Sequence, residues 1–327
     1  MFPQKCILSR FSLPSISNQF IRKSSFSKEI PLVHSWNPNL ESGWTCKGEV
    51  KEGSGLVIGV YPYDKNPAQP TICLTKTAAI FNEHTQYRLI EQLASSGPLP
   101  ELGEARTFFK LEPTFTAVTV VGLGCRDAGF SKREGRDEKK ENIRKAAGAG
   151  VRALQALSMN KIYVEEFGHA ESAAEGASLA LFANQHLKDD KKKIKISDLD
   201  MFGSCDWRGW RIGLEKAAAQ NFARRLMETP ANLMTPKSFM IAAIGSLCET
   251  SVSVEVRVED WLKEMNMNGI LTISKGSVQP PIFLEITYNG CEKDIPPVVL
   301  IGKGMTFNSG GLCLKSCIDL KHMRGDM

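Results

Sequence analysis

The 327-residue chain has no apolar run approaching the roughly 20 residues that a membrane-spanning helix needs, so no membrane partner is expected. Its nine cysteines (Cys6, Cys46, Cys73, Cys125, Cys205, Cys248, Cys291, Cys313 and Cys317) include no Cys-x-x-Cys pair. Cys313 and Cys317 have only His322 nearby and no second pair upstream, which argues against a zinc knuckle. They read instead as free, mostly buried thiols in a reducing compartment. A Gly-x-x-x-x-Gly-Lys-Ser/Thr phosphate loop is missing, and Gly122-Leu123-Gly124 lacks the third glycine of a dinucleotide fingerprint and reads as a strand-end turn.

Acidic residues are absent from the first 28 positions, which hold five basic residues (Lys5, Arg10, Arg22, Lys23 and Lys28) and seven serines. Phe11, Leu13, Ile16, Phe20, Ile21 and Phe26 are interleaved with that charge, without the continuous apolar core of a secretory signal. The segment reads as a mitochondrial-type presequence, with a cytoplasmic location as the alternative. Its five charges equal the whole net charge of +5, so the body beyond Lys28 is neutral. A neutral body argues against a broad nucleic-acid footprint, which needs a basic face.

Along the body, strand-length apolar runs alternate with helical spacing. Strands are expected at Leu56–Tyr61, Phe115–Val121 and Lys161–Phe167, and helices at Thr85–Leu93, Glu138–Leu157 and Ala170–Asn184. Lys188 to Lys193 is a polar surface turn. Asp206–Met227 reads as a connecting helix that ends before Pro230. Thr235-Pro236 is an N-cap followed by proline, opening a helix toward Cys248. Strands are then expected at Ser253–Val258, Gly269–Ser274, Ile282–Tyr288 and Val298–Ile301, with a short helix at Trp261–Met265. Alternation of this kind gives an α/β class with a parallel or mixed sheet. The expected organisation is a presequence (1–28), an irregular leader (29–53), an N-terminal α/β domain (54–196), a linker with connecting helix (197–228) and a second α/β domain (229–327).

The most informative segment follows the apolar run Pro297–Ile301. It reads Gly302-Lys303-Gly304-Met305-Thr306-Phe307-Asn308-Ser309-Gly310-Gly311, with Lys315 and Asp326 beyond it. A glycine-rich turn with a lysine amine and a spaced aspartate at the carboxyl end of a strand sits where open α/β sheets bind their ligands. The same glycines would also serve simply as tight turns, and isolated lysines are ordinarily surface groups.

This segment, with Glu228-Thr229-Pro230-Ala231-Asn232-Leu233-Met234-Thr235-Pro236 and Met323-Arg324-Gly325-Asp326-Met327, resembles the leucyl aminopeptidase (cytosol aminopeptidase) family. Glu141-Asn142-Ile143-Arg144 and Ala173-Ala174-Glu175-Gly176 are also similar to family segments, more loosely. The resemblance implies a mixed-sheet, macro-like N-terminal domain and a mostly parallel metallopeptidase domain that is incomplete here. It implies a usually hexameric enzyme that releases N-terminal residues from peptides with two divalent ions, zinc or manganese. By position Lys303 and Asp326 would be metal ligands, Lys315 the catalytic lysine that stabilises the reacting oxygen, and Asn308 would stand where the family has a bridging aspartate. The remaining acidic ligands and a catalytic arginine belong to an Asn-Thr-Asp-Ala-Glu-Gly-Arg motif that this chain does not contain.

Two divalent ions bring four positive charges and act by polarising a carbonyl and lowering the pKa of a bridging water. Asn308 offers a neutral amide oxygen in place of a carboxylate, so full occupancy by both ions is not expected. The sequence therefore leaves two readings: an aminopeptidase chain impaired or inactive as written, or a degenerate, sperm-type mitochondrial paralogue kept for structure or assembly.

Overall fold

The computed structural model describes residues 53–61, 72–247, 251–291, 295–311, 314–320 and 322–325. The expected presequence, nearly all of the leader and Asp326 lie outside them. The described residues form two compact units, one ending at Phe222 and the other beginning at Ala223.

The first unit is built on a six-stranded sheet of β1 (Ser54–Tyr61), β2 (Cys73–Leu74), β3 (Ala105–Phe109), β4 (Ala117–Gly122), β7 (Lys161–Glu165) and β8 (Asp198–Phe202). Between β4 and β7 lies a small antiparallel pair, β5 (Phe130–Ser131) with β6 (Arg136–Asp137). The main order is β3-β4-β1-β7-β8, with β2 on the end of β1. β4, β1, β7 and β8 run parallel, whereas β3 joins β4 and β2 joins β1 antiparallel. The sheet is therefore mixed, one of the two forms the pattern allowed and the one the resemblance implied.

Alternation along the strands sends side chains to two cores. Val57, Ala117, Val121, Ile162 and Val164 pack with the buried faces of α3 (Glu138–Ala156) and α4 (Ala170–Ala180). Leu56, Ile58, Val60, Val118, Val120 and Tyr163 pack on the opposite side with α1 (Lys76–His84) and α2 (Arg88–Ser95). Helices α3 and α4 meet at small residues: a Cβ on Gly176 would overlap the Arg144 carbonyl oxygen. Arg144 spans the same contact, its Nε donating to Glu175 at 2.7 Å and its Nη1 to Glu141 at 3.3 Å.

Several expectations need correction. The helix expected at Thr85–Leu93 begins only at Arg88, as α2, because Gln86 (φ 54°) and Tyr87 (φ 65°) turn left-handed, and α1, which ends at His84, was not expected. β8 occupies residues assigned to the linker, because its Leu199 and Met201 face the same apolar core as α3. Edge strand β3 was missed since its sequence, Ala-Arg-Thr-Phe-Phe, carries a charge and lacks a long apolar run. The described cysteines are not mostly buried: Cys125, Cys205, Cys291 and Cys317 are exposed and Cys73 is intermediate, all with free thiols.

The long helix α5 (Trp207–Glu228) carries the boundary between the units. Beyond it come α6 (Pro236–Leu247), β9 (Val252–Arg257), α7 (Glu259–Glu264), α8 (Asn268–Ser274), β10 (Phe283–Tyr288) and α9 (Cys317–Leu320). Thr235 caps α6 as expected, its Oγ1 accepting the Ser238 amide at 3.2 Å. β9 and β10 pair antiparallel from Val252↔Tyr288 to Arg257↔Phe283. The Gly269–Ser274 segment, expected as a strand, is the helix α8, since a short apolar run fits either state and here the chain turns helical after Asn266 (φ 53°). Val298–Ile301 is likewise not a strand; it has no ladder partner among the described residues, and its side chains are 72% to 95% exposed.

Candidate functional site

Within the second unit, the segments that carried the motifs converge. After Val298–Ile301 the chain runs through Gly302 to Gly304 without regular structure, and Lys303 is exposed. It then folds back at Gly310 (φ 76°) and Gly311 (φ 117°), a left-handed conformation that glycine adopts without strain. Ser309 closes this turn, its hydroxyl donating to the Gly311 carbonyl at 2.9 Å and accepting the Gly311 amide at 3.3 Å.

The turn brings Lys315 back over the loop. Its Nζ donates to the Asn308 carbonyl oxygen at 3.0 Å and contacts Met323 Sδ at 2.8 Å. The ammonium is half-buried and anchored to main chain rather than to a carboxylate. Ser316 then opens α9, its Oγ accepting the Asp319 amide at 3.2 Å while donating to the Asp319 carboxylate at 2.6 Å.

Phe307 of the same loop lines a cavity of about 370 Å³ with Pro230, Ala231 and Asn232. The Pro230 corner is itself tight: Leu233 and Met234 both donate amides to the Pro230 carbonyl, at 2.9 and 2.8 Å. Thr229 is tied to the end of α5 through its hydroxyl on the Arg225 carbonyl at 2.7 Å. Two motif segments at least 75 residues apart in sequence therefore share one pocket.

Of the four sequence-derived site residues, Lys315 and Asn308 lie together, Lys303 stands exposed on the loop before them, and Asp326 falls outside the described residues. Sequence reasoning did not find Met323 as a contact of Lys315 or Phe307 as a cavity wall; no residue-type signal distinguishes either from ordinary packing.

The described residues do not by themselves fit a pair of divalent ions. Among them no group of three or more His, Cys, Asp or Glu side chains could hold a metal. The candidate ligands present are a lysine and an amide, which cannot neutralise the charge of two dications.

A mixed-sheet α/β unit followed by a lysine-bearing glycine turn beside a Pro-Ala-Asn corner defines a two-domain α/β protein. Residues 57–191 match the model of the cytosol aminopeptidase family N-terminal domain, and residues 221–327 that of the catalytic domain of the same family. The cytosol aminopeptidase of Bos taurus is 42% identical over 276 residues, covering 84% of this chain and 52% of the relative. That of Sus scrofa is 39% identical over 303 residues, covering 92% and 56%. Among solved structures, leucyl aminopeptidase from Trypanosoma brucei in complex with bestatin aligns with a TM-score of 0.61 at 19% identity, covering 84% of this chain and 51% of that one. The bottromycin maturation enzyme BotP in complex with Mn aligns at 0.58 with 24% identity, covering 84% and 53%. The chain belongs to the cytosol aminopeptidase family, and the C-terminal region is part of that family's catalytic domain. It spans about half the length of the curated relatives it matches.

Proposed function

We propose that this chain carries the N-terminal domain and the first part of the catalytic domain of a leucyl aminopeptidase-type hydrolase acting on peptide N-termini. Lys315 is the residue that faces the reacting oxygen, Lys303 and Asp326 are metal-ligating positions, and Asn308 stands where a bridging carboxylate is required. The observation that supports this reading is that Lys315 Nζ donates to the Asn308 main-chain carbonyl at 3.0 Å, so these two positions lie side by side. With Asn308 there, turnover by the chain as written is weakened or abolished. Divalent ions, when bound to a completed site, would polarise the scissile carbonyl and lower the pKa of bound water. This chain's own contribution is to hold a cationic donor at the oxygen that gains charge, an interaction that strengthens as that charge develops.

The test is Asn308→Asp in a chain completed with the Asn-Thr-Asp-Ala-Glu-Gly-Arg segment of a family member. Manganese-dependent cleavage of a leucyl amide is expected to rise by at least tenfold over the Asn308 version. Equal rates would overturn the bridging assignment.

Asn308, a neutral amide where a bridging carboxylate is required, favours a second reading: a non-catalytic, hexameric assembly protein in mitochondria. On that reading the purified protein forms hexamers without stoichiometric metal, and two bound ions per chain would exclude it. The mitochondrial part rests on the basic, serine-rich stretch 1–28, and recovery of Met1 at the N-terminus of the protein from mitochondria-containing cells would count against it.

A further inference from the structure

The first unit contains a buried acid that the peptidase reading does not use. Glu165, at the carboxyl end of β7, is 2% exposed. Its Oε2 accepts the Gly59 amide of β1 at 2.9 Å and the Thr75 hydroxyl at 2.7 Å, and the Thr77 side chain also donates to the carboxyl. Thr75 is the N-cap of α1, where its Oγ1 accepts the Ala78 amide at 3.3 Å. The same hydroxyl lies 3.1 Å from the Gly59 carbonyl, a second acceptor for its single proton. Gly59 has no room for a side chain, because a Cβ would come within 2.9 Å of Leu123, Phe167 and Thr75.

One hydroxyl proton between two acceptors makes a pair of states. With Glu165 ionised, Thr75 donates to the carboxylate. With Glu165 protonated, the carboxyl O–H donates to Thr75 Oγ1 and the Thr75 proton turns to the Gly59 carbonyl. Thr75 Oγ1 then accepts from both Glu165 and Ala78, within the capacity of a hydroxyl oxygen. We propose that Glu165, Thr75 and the Gly59 carbonyl form a two-state proton relay that lets this unit take up a proton while keeping β1, β7 and α1 pinned together. One solvent proton adds to the carboxylate, one O–H bond forms, and no other covalent bond changes.

The environment sets where the relay operates. Burial pushes Glu165 up to about 7, against the lowering effect of its donors from Thr75, Gly59 and Thr77, and the Glu166 charge adds to the rise. Near it is Tyr61 at the end of β1, whose phenol is itself raised by burial and by Glu165, while Arg126, 6.0 Å from the Tyr61 ring centroid, acts the other way on that phenol. Glu166 accepts the Ser204 hydroxyl. Because the folded carboxyl holds its proton to higher pH than an unfolded one, the stabilisation is full below the ordinary carboxylate range. It is lost as pH rises toward 7 and stays constant above that.

The experiment is infrared difference titration of the full chain between pH 5 and 9, with Glu165→Gln, Thr75→Val and Thr75→Ser. A protonated-carboxyl C=O band titrating near pH 7 is expected in the wild type and absent in E165Q, whose amide mimics the neutral acid. T75V, lacking the donor to the carboxylate, moves the midpoint upward, and T75S restores it. In parallel, the wild-type melting temperature relative to that of E165Q falls from pH 5 to pH 8. A band that persists in E165Q, or a T75V midpoint that does not rise, overturns the relay. Should the variants not fold, the wild-type titration alone decides, since the absence of any carboxyl band near neutrality is enough to discard it.

Discussion

Gly176 shows how far a single hydrogen atom can set the packing of two helices. Its position on α4 lies against the backbone of Arg144 on α3, and an added Cβ would collide with the Arg144 carbonyl oxygen and Cα. Main chain cannot rotate away as a side chain would, so the helices themselves must separate. Gly176→Ala is expected to destabilise the first unit by about 1–3 kcal/mol, despite the higher helix propensity of alanine. Thermal denaturation of the full chain followed by circular dichroism checks it; an unchanged or raised midpoint would mean that α3 and α4 do not approach this closely. In sequence, Gly176 was legible only as a small residue in an alanine-rich helix. The partner atom belongs to a residue 32 positions away, and no local pattern identifies it.

At the scale of elements, strong periodicity was legible and its interruptions were not. The 19-residue helix α3 is read off its buried Ile143, Ala146, Ala147, Val151 and Leu154, and its start is fixed by Asp137 accepting the Lys140 amide at 3.2 Å. The break between α1 and α2 has no such signature, because Gln86 and Tyr87 are residues that rarely turn left-handed. What holds the break is tertiary: buried Asn82 on α1 reaches across it, its Oδ1 accepting the Ile90 amide of α2 at 3.1 Å. α2 has no N-cap side-chain bond of its own, so Asn82 substitutes for one. Asn82→Ala is expected to cost about 1–2 kcal/mol, since it leaves a helix-start amide unpaired. Urea unfolding of the two proteins would measure the difference, and a loss within error would show that water replaces the side chain at no cost. At the candidate site, the motif residues were legible by type. Their meeting was not, because it depends on a left-handed Gly310-Gly311 turn that returns Lys315 to Asn308.

Across the whole molecule, the two units differ in how they treat apolar surface. In the first, β1 and β4 are buried along nearly their full length, with helices over both faces. In the second, Val298, Val299, Leu300, Ile301, Leu314 and Ile318 are each more than 70% exposed, and Lys303 stands in the same irregular stretch. Exposed apolar segments with few backbone bonds open at low free energy and are cut first. Brief trypsin treatment of the full chain is therefore expected to cleave after Lys303 while leaving Ile72–Phe222 intact. The exposure also fixes the sign of a substitution. Leu300→Glu removes no buried contact, so it should change the unfolding free energy by no more than about 0.5 kcal/mol while reducing aggregation and the binding of an apolar dye. A resistant product that retains residues 295–320, or a loss of several kcal/mol on Leu300→Glu, would mean that this run is covered in solution, as the strand its sequence suggested would be.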